Sequence, residues 1–296
     1  GEGSLFMVGS DWLLGMTTHA EQSYFEEYAR DIYLGTGAIV DLGCWLGSTT
    51  IALAKGLAAN SSPQARSSTI HAFDQFVWEA WMGETSCCRG SEIEGKFKPG
   101  ESFLDEFHKR TAPWSDRIQV YTGDLCQIGW GGAPIEFLLI DAMKSWELAN
   151  GILRDFYPCL IPGKSYILHQ DFAHFYEPWI HLTHYRLRDY FRVVHIVPHS
   201  QSFVFEYVKK LPDELLTASY EPSFFSDEEV DLAFEYSISL TSDRETRTAI
   251  AASKVMHFIH VGDTSKARTE LDAIVSQGLP ITTDLQNVLA QLNQST

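Results

Sequence analysis

Short apolar runs alternate with segments of helical periodicity over most of this chain, a pattern that predicts a parallel sheet with helices on both faces. The runs lie at 38–42, 69–73, 117–121, 135–140, 165–168, 193–197 and 203–207, which makes seven predicted strands. Only residues 198–202 separate the last two, too few for a right-handed crossover, so this pair is expected to be an antiparallel hairpin. Ahead of the sheet, residues 1–36 read as a helical lead-in. Thr18-His-Ala-Glu21 is a capping box, Tyr24, Tyr28 and Ile32 follow at helical spacing, and Gly35 and Gly37 stop the helix. The α/β domain then spans 37–211, and a helical extension spans 212–296.

Two regions depart from the alternation. Residues 76–100 mix Trp78 and Trp81 with Gly83, Gly90, Gly95 and Pro99, which predicts a long insertion at the active site. In the extension, a loop near 221–226 precedes 246–259 and 264–276, which read as an antiparallel helix pair. That pair has no second copy at a fixed period, so no repeat array is expected. Its Ala249, Ile250, Ala252, Val255, Met256, Ile259, Ala267, Leu271, Ile274 and Val275 are more than two short helices can bury against each other. The surface needs either the sheet domain or a second subunit, and a homodimer is the expectation carried forward.

The formal charge of −17 over 296 residues repels phosphate backbones and anionic lipid, which disfavours nucleic acid and membrane surfaces as partners. No apolar run approaches the roughly 20 residues that cross a bilayer. Residues 1–16 lack the basic start and apolar core of a signal peptide, and a cytoplasmic protein is expected. Five cysteines, at 44, 87, 88, 126 and 159, show no paired spacing and are expected to be reduced.

The most informative local pattern is Ile39-Val-Asp-Leu-Gly-Cys-Trp-Leu-Gly-Ser-Thr-Thr50, a strand ending in Asp41, a glycine turn, and a helix opening at Ser48. Glycines 43 and 47 permit a sharp turn and a close ligand approach. Their four-residue spacing, with Trp45 between them, departs from the G-x-G-x-x-G of dinucleotide sites, and no lysine follows as in a P-loop. A nicotinamide-dependent dehydrogenase is therefore disfavoured.

This Asp-x-Gly-x-x-x-Gly-x-Thr sequence resembles motif I of the class I S-adenosylmethionine-dependent methyltransferases. Asp74, Gly123-Asp124, Asp141 and Asp171 end the following strands in the same order, so the resemblance covers about residues 37–207. It implies a doubly wound, seven-stranded Rossmann-like α/β sheet that binds S-adenosylmethionine. The implied cofactor contacts are Asp41, Gly43, Cys44, Trp45, Gly47, Ser48, Thr49, Asp74, Gln75, Phe76, Gly123, Asp124, Leu125 and Asp141. Within the superfamily the chain is similar to the sugar and macrolide O-methyltransferases related to macrocin O-methyltransferase. That likeness implies methylation of a hydroxyl on a sugar or another secondary metabolite, assisted by magnesium on Asp141, Gln170 and Asp171. Gln170 stands where the group carries a further aspartate.

Methyl transfer needs alignment and deprotonation of the acceptor, so a metal-free route with His169 as base stands beside the metal route, and Asp141 and Asp171 belong to either. His174 flanks Asp171, while His181 and His184, one turn apart, have the i, i+3 spacing of transition-metal ligands but read rather as bystanders on a partly exposed helix. Lys144 is either a ligand contact or solvated. Phe76, Trp78 and Trp81 either cover the cofactor or pack the insertion onto the sheet. A non-catalytic cofactor-binding module is the alternative to an enzyme.

Overall fold

The computed structural model describes residues 12–295, so the first eleven positions of the lead-in and Thr296 lie outside the described residues. The strands are β1 Ala38–Leu42, β2 Ile70–Asp74, β3 Ile118–Thr122, β4 Ile135–Ile140, β5 Tyr166–His169, β6 Phe191–Ile196 and β7 Phe203–Tyr207. They form one sheet in the order β3-β2-β1-β4-β5-β7-β6. β1 to β5 are parallel, and β7 runs antiparallel between β5 and β6. This is the seven-stranded α/β sheet that the resemblance implies, including the terminal hairpin expected from the short 198–202 connection. The order reverses direction at β1 and β4, which opens a crevice beyond their carboxyl ends.

Neighbouring residues along β4 face opposite sides, and each side builds its own core. Ile39, Phe137, Leu139 and Leu168 face the helices His19–Glu27 and Ser48–Ala58, with Tyr28 stacked on Phe137 at a centroid distance of 4.1 Å. The Thr18–Glu21 capping box forms as the sequence predicts. Buried Glu136 then accepts the backbone N–H groups of Leu34 and Thr36, each at 2.7 Å, and so fastens the lead-in to the start of β4.

Val40, Leu42, Leu138, Ile140 and Ile167 face the other side, against Trp146–Asp155 and Pro178–Leu187. Here the extension adds a third layer. Asp227–Ser239 and Arg244–His260 pack against Pro178–Leu187, while Thr264–Ser276 and Thr283–Gln294 complete the stack. Of the residues expected to need a second subunit, all but Ile259 and Val275 are buried within the chain; Ile259 is half-buried and Val275 is 54% exposed. The apolar surface expected to need a second subunit is thus covered within the chain.

The 76–100 segment holds only one short helix, Ala80–Gly83, yet it has a core of its own. Phe76, Trp78, Cys88 and Ile93 pack with Phe103 and Phe107, and Val77 pairs with Ser102. Two of its three singled-out aromatics are therefore structural.

Candidate active site

A cavity of about 760 Å³ opens at the carboxyl ends of β1, β2, β4 and β5. Gly43, Trp45, Asp74, Gln75, Gly123 and Leu125 form one end of it, and Lys144, Gln170, Asp171, His174, Tyr176 and Glu177 form the other. Asp141 also contributes to the lining.

At the first end, the glycine loop is held by the neighbouring strands. Gly43 donates its N–H to Phe73 O at 2.8 Å and has φ +86°, and a Cβ there would meet the carbonyl oxygen of Asp141 at 2.5 Å. The missing side chain therefore lets β1 and β4 close together at their ends. This packing adds to the sharp turn and the ligand approach expected of Gly43, which also lines the cavity. Trp45 N–H donates to Asp74 Oδ2 at 2.9 Å, and Phe76 N–H donates to Oδ1 at 2.8 Å. Burial raises the Asp74 pKa, opposed by these amide donors. Each carboxylate oxygen retains a further lone pair for a ligand hydroxyl. Trp45 stacks on Trp78 at 6.0 Å and directs its indole N–H to Met82 Sδ, so it is both core and cavity wall.

Seven of the expected cofactor residues do not line this cavity. Fully buried Asp41 accepts the hydroxyls of Thr49 and Thr50 at 2.7 and 2.8 Å, and burial raises its pKa to about 6. It pins the start of the helix that follows the loop. Ser48 Oγ lies 3.1 Å from Thr17 Oγ1, and Cys44 is buried in the insertion's core. Gly47 has φ +99° and sits against Thr111 and Phe107. Phe76 is enclosed by Phe103 and Phe107, and Asp124 caps Leu125–Ile128 through Cys126 N. These side chains shape the site from behind.

At the second end, Lys144 Nζ bridges two carboxylates, donating to Asp141 Oδ1 at 3.1 Å and to Asp171 Oδ2. Burial opposes its charge, but Asp141 and Asp171 outweigh that and raise the ammonium's pKa. Burial also pushes Asp141 well up, while Lys144 holds Asp171 below the usual carboxylate range in spite of burial. His174 Nδ1 lies 2.8 Å from Glu177 Oε2, a charge-assisted contact. Burial works against a charged imidazole, but Glu177 prevails and raises the His174 pKa.

Two expectations fail here for physical reasons. His169 does not reach the cavity: it is the last residue of β5, its ring packs beside Phe172 and Phe205, and burial lowers its pKa to about 4. Its Nε2 faces the Tyr157 hydroxyl at 3.4 Å, so it has no route to an acceptor proton. The donor set at Asp141, Gln170 and Asp171 does not fit magnesium, because an ammonium already bridges the two carboxylates and would repel a divalent ion. Among the described residues, no three His, Cys, Asp or Glu side chains converge on a metal position. His181 and His184 are buried rather than partly exposed, the first bonded to Ser237 Oγ at 2.8 Å and the second packed on Phe205.

The sequence reading missed Met16, Val77, Glu79, Met82, Glu177 and Gln201 as cavity residues, and it gave His174 and Tyr176 no role. Glu177 had a usable signal, a carboxylate immediately before the Pro178 that opens a helix. Trp81 is the member of the aromatic trio that lines the cavity, at 49% exposure.

The sequence matches no protein-family model and no curated protein. Among solved structures, the calicheamicin methyltransferase CalS11 aligns with TM-score 0.43 and 12% identity over 64% of this chain and 77% of its own. The Podospora anserina methyltransferase PaMTH1, solved with SAH bound, aligns with TM-score 0.41 and 15% identity over 66% and 80%. The pyocyanin biosynthetic protein PhzM aligns with TM-score 0.36 and 15% identity over 63% and 55%.

Proposed function

We propose that this chain transfers a methyl group from S-adenosylmethionine to a hydroxyl oxygen of a small molecule. The observation that carries the reading is one continuous cavity joining Gly43, Trp45 and Asp74 to the Asp141, Lys144, Asp171, His174 and Glu177 group. Its lining fits a sulfonium cofactor. Asp74, Glu79, Asp141, Asp171 and Glu177 outweigh Lys144, its only lysine or arginine among the described residues, and Trp45 and Trp81 offer ring faces to a cation. The same charge disfavours phosphorylated or otherwise anionic acceptors and favours an uncharged alcohol or phenol. Tyr176, 43% exposed, adds an aromatic wall at the acceptor end.

When bound, S-adenosylmethionine supplies an activated methyl on a positively charged sulfur. Two groups meet His174 Nδ1, the Glu177 carboxylate at 2.8 Å and the Tyr176 backbone N–H at 3.3 Å; the shorter, charge-assisted contact favours the tautomer that donates Nδ1–H to Glu177 and leaves Nε2 as the proton acceptor of the ring. In the transfer, the acceptor O–H bond breaks and its proton passes to Nε2. The bound cofactor would supply the methyl carbon to that oxygen and would keep the electron pair of the broken carbon–sulfur bond on its sulfur. The residues therefore have to orient the acceptor and remove its proton, with no covalent enzyme intermediate.

Calorimetric titration tests the cofactor half of the reading. S-adenosylhomocysteine is expected to bind and NAD to give no heat. A screen of hydroxylated metabolites with labelled methyl donor tests the other half, and the absence of any labelled product across neutral alcohols and phenols counts against it.

A further inference from the structure

The bridged carboxylates bear on how the acceptor is held. An ammonium has three N–H donors, and Lys144 uses two, on Asp141 Oδ1 and Asp171 Oδ2. Its next carboxylate, Glu177 Oε1, is 4.0 Å away, beyond hydrogen-bond distance. The side chain is nevertheless 45% exposed and lines the cavity, so the third donor is open to a ligand.

Gln170 supplies a second, independent observation. It is 6% exposed, and its Nε2 donates to Met16 O at 3.4 Å. Its Oε1 is buried without a partner among the described residues, although the residue lines the same cavity. A buried carbonyl oxygen without a donor is costly unless something fills its lone pairs. The oxygen has no exposed surface as the side chain stands, so a ligand's O–H or N–H meets it once the amide, held by only the 3.4 Å bond to Met16, turns toward the cavity.

We infer that the Lys144 ammonium, together with Gln170 Oε1, takes the place of a divalent cation and holds the acceptor molecule, so that this site works without a metal ion. The acceptor-holding role rests on the methyl-transfer reading; the exclusion of the metal does not. Lys144 donates to the reacting oxygen and disperses its developing negative charge, as a cation would, while Asp141 and Asp171 fix the ammonium in position. Gln170 accepts a hydrogen from the acceptor molecule. The proton released in the transfer goes to His174, so Lys144 keeps its charge throughout.

The test is a titration of the full chain with Mn²⁺, read by loss of the free-ion electron paramagnetic resonance signal. The parent is expected to bind no Mn²⁺ up to about 1 mM, far above the affinity of a carboxylate site built for the ion. Lys144→Met, with the carboxylates and the amide oxygen released, is expected to take up one equivalent, and adding Asp171→Asn is expected to abolish it. A parent that binds Mn²⁺ overturns the inference, and so does a folded Lys144→Met that takes up none. Lys144→Gln serves if the methionine variant fails to fold, and the parent's titration decides the metal question without either. S-adenosylhomocysteine calorimetry on the same preparation separates the two readings. Failure to bind it sinks the methyl-transfer reading while leaving the Mn²⁺ result intact.

Discussion

Asp74 Oδ2 accepts the backbone N–H of Trp45 at 2.9 Å, so the carboxylate ending β2 determines the shape of the glycine loop that ends β1. Its other oxygen fixes Phe76 N, whose residue has φ +55°. Asp74→Ala would strand two amides that now have charged partners, at a cost of about 1.5–3 kcal/mol each at most. S-adenosylhomocysteine affinity is expected to fall more than tenfold, and thermal unfolding to move down as well. Asp74→Asn keeps one acceptor and should lie between. Calorimetry and circular dichroism on the two variants check both effects.

Gly43→Ala is a test of packing rather than of ligand access. The new Cβ would meet Asp141 O at 2.5 Å, at a φ of +86° that L side chains rarely adopt. A loss of about 1–3 kcal/mol in unfolding free energy is expected from strain at such a position. Denaturant melts give the value directly, and an unchanged midpoint would show that β1 and β4 can separate freely.

The His174–Glu177 contact makes a prediction about pH. Glu177 holds the imidazole's pKa above its ordinary 6.5, so the ring is protonated as pH falls toward and through that raised value. A base must be unprotonated, and methyl transfer is therefore expected to decline on the acid side of it. Glu177→Gln removes the carboxylate and should lower the His174 pKa. A histidine ¹H–¹³C NMR titration reads this without any acceptor, and a pKa unmoved by Glu177→Gln would detach the two residues.

Much of this arrangement was legible because strand ends carry a strong signal. The apolar runs gave seven strands whose starts and ends shift by no more than two residues, and Asp74 and Asp141 end or follow β2 and β4 where an open sheet presents its ligands. What the sequence could not give was side-chain direction. His169, Gln170 and Asp171 are consecutive, yet the first enters the core and the next two line the cavity. Asp41 looked like Asp74 in sequence, but the hydroxyls of Thr49 and Thr50 claim it. Lys144 and Asp171 are 27 positions apart, and only the adjacency of β4 and β5 brings them together.

The buried histidines set the acid side of stability. Burial lowers His169 and His257 to about 4 and His181 to about 3, below the ordinary 6.5. The unfolded chain then binds more protons than the folded one, so their contribution is present above pH 6.5 and is lost as pH falls from there toward the folded values. Asp41 acts the other way, since burial raises it to about 6. Replacing one histidine isolates the effect: going from pH 7.5 to 5.5, His169→Phe is expected to lose about 1 kcal/mol less stability than the parent. Urea melts at the two pH values measure it, and equal losses would remove His169 from the account.

The C-terminal helices are expected to be indispensable to the sheet domain, because they complete its core. Val230, Ala233 and Phe234 are buried against the Pro178–Leu187 layer, His181 Nδ1 bonds to Ser237 Oγ, and Arg186 forms a fork with Glu229. Asn150 also exchanges two hydrogen bonds with the backbone of Tyr220, both at 2.8 Å. A chain ending at Pro212 would leave the outer face of Pro178–Leu187 in water, with His181 and Arg186 stripped of their partners. That helix follows directly on Glu177, so loosening it would also disturb the His174 contact at the cavity. The truncated chain is expected to aggregate or melt well below the parent and to lose S-adenosylhomocysteine binding. The full chain, with this apolar surface already covered, is expected to scatter light as a monomer at micromolar concentration. A truncated protein that stays soluble and melts like the parent would mean that the extension merely rests on the core.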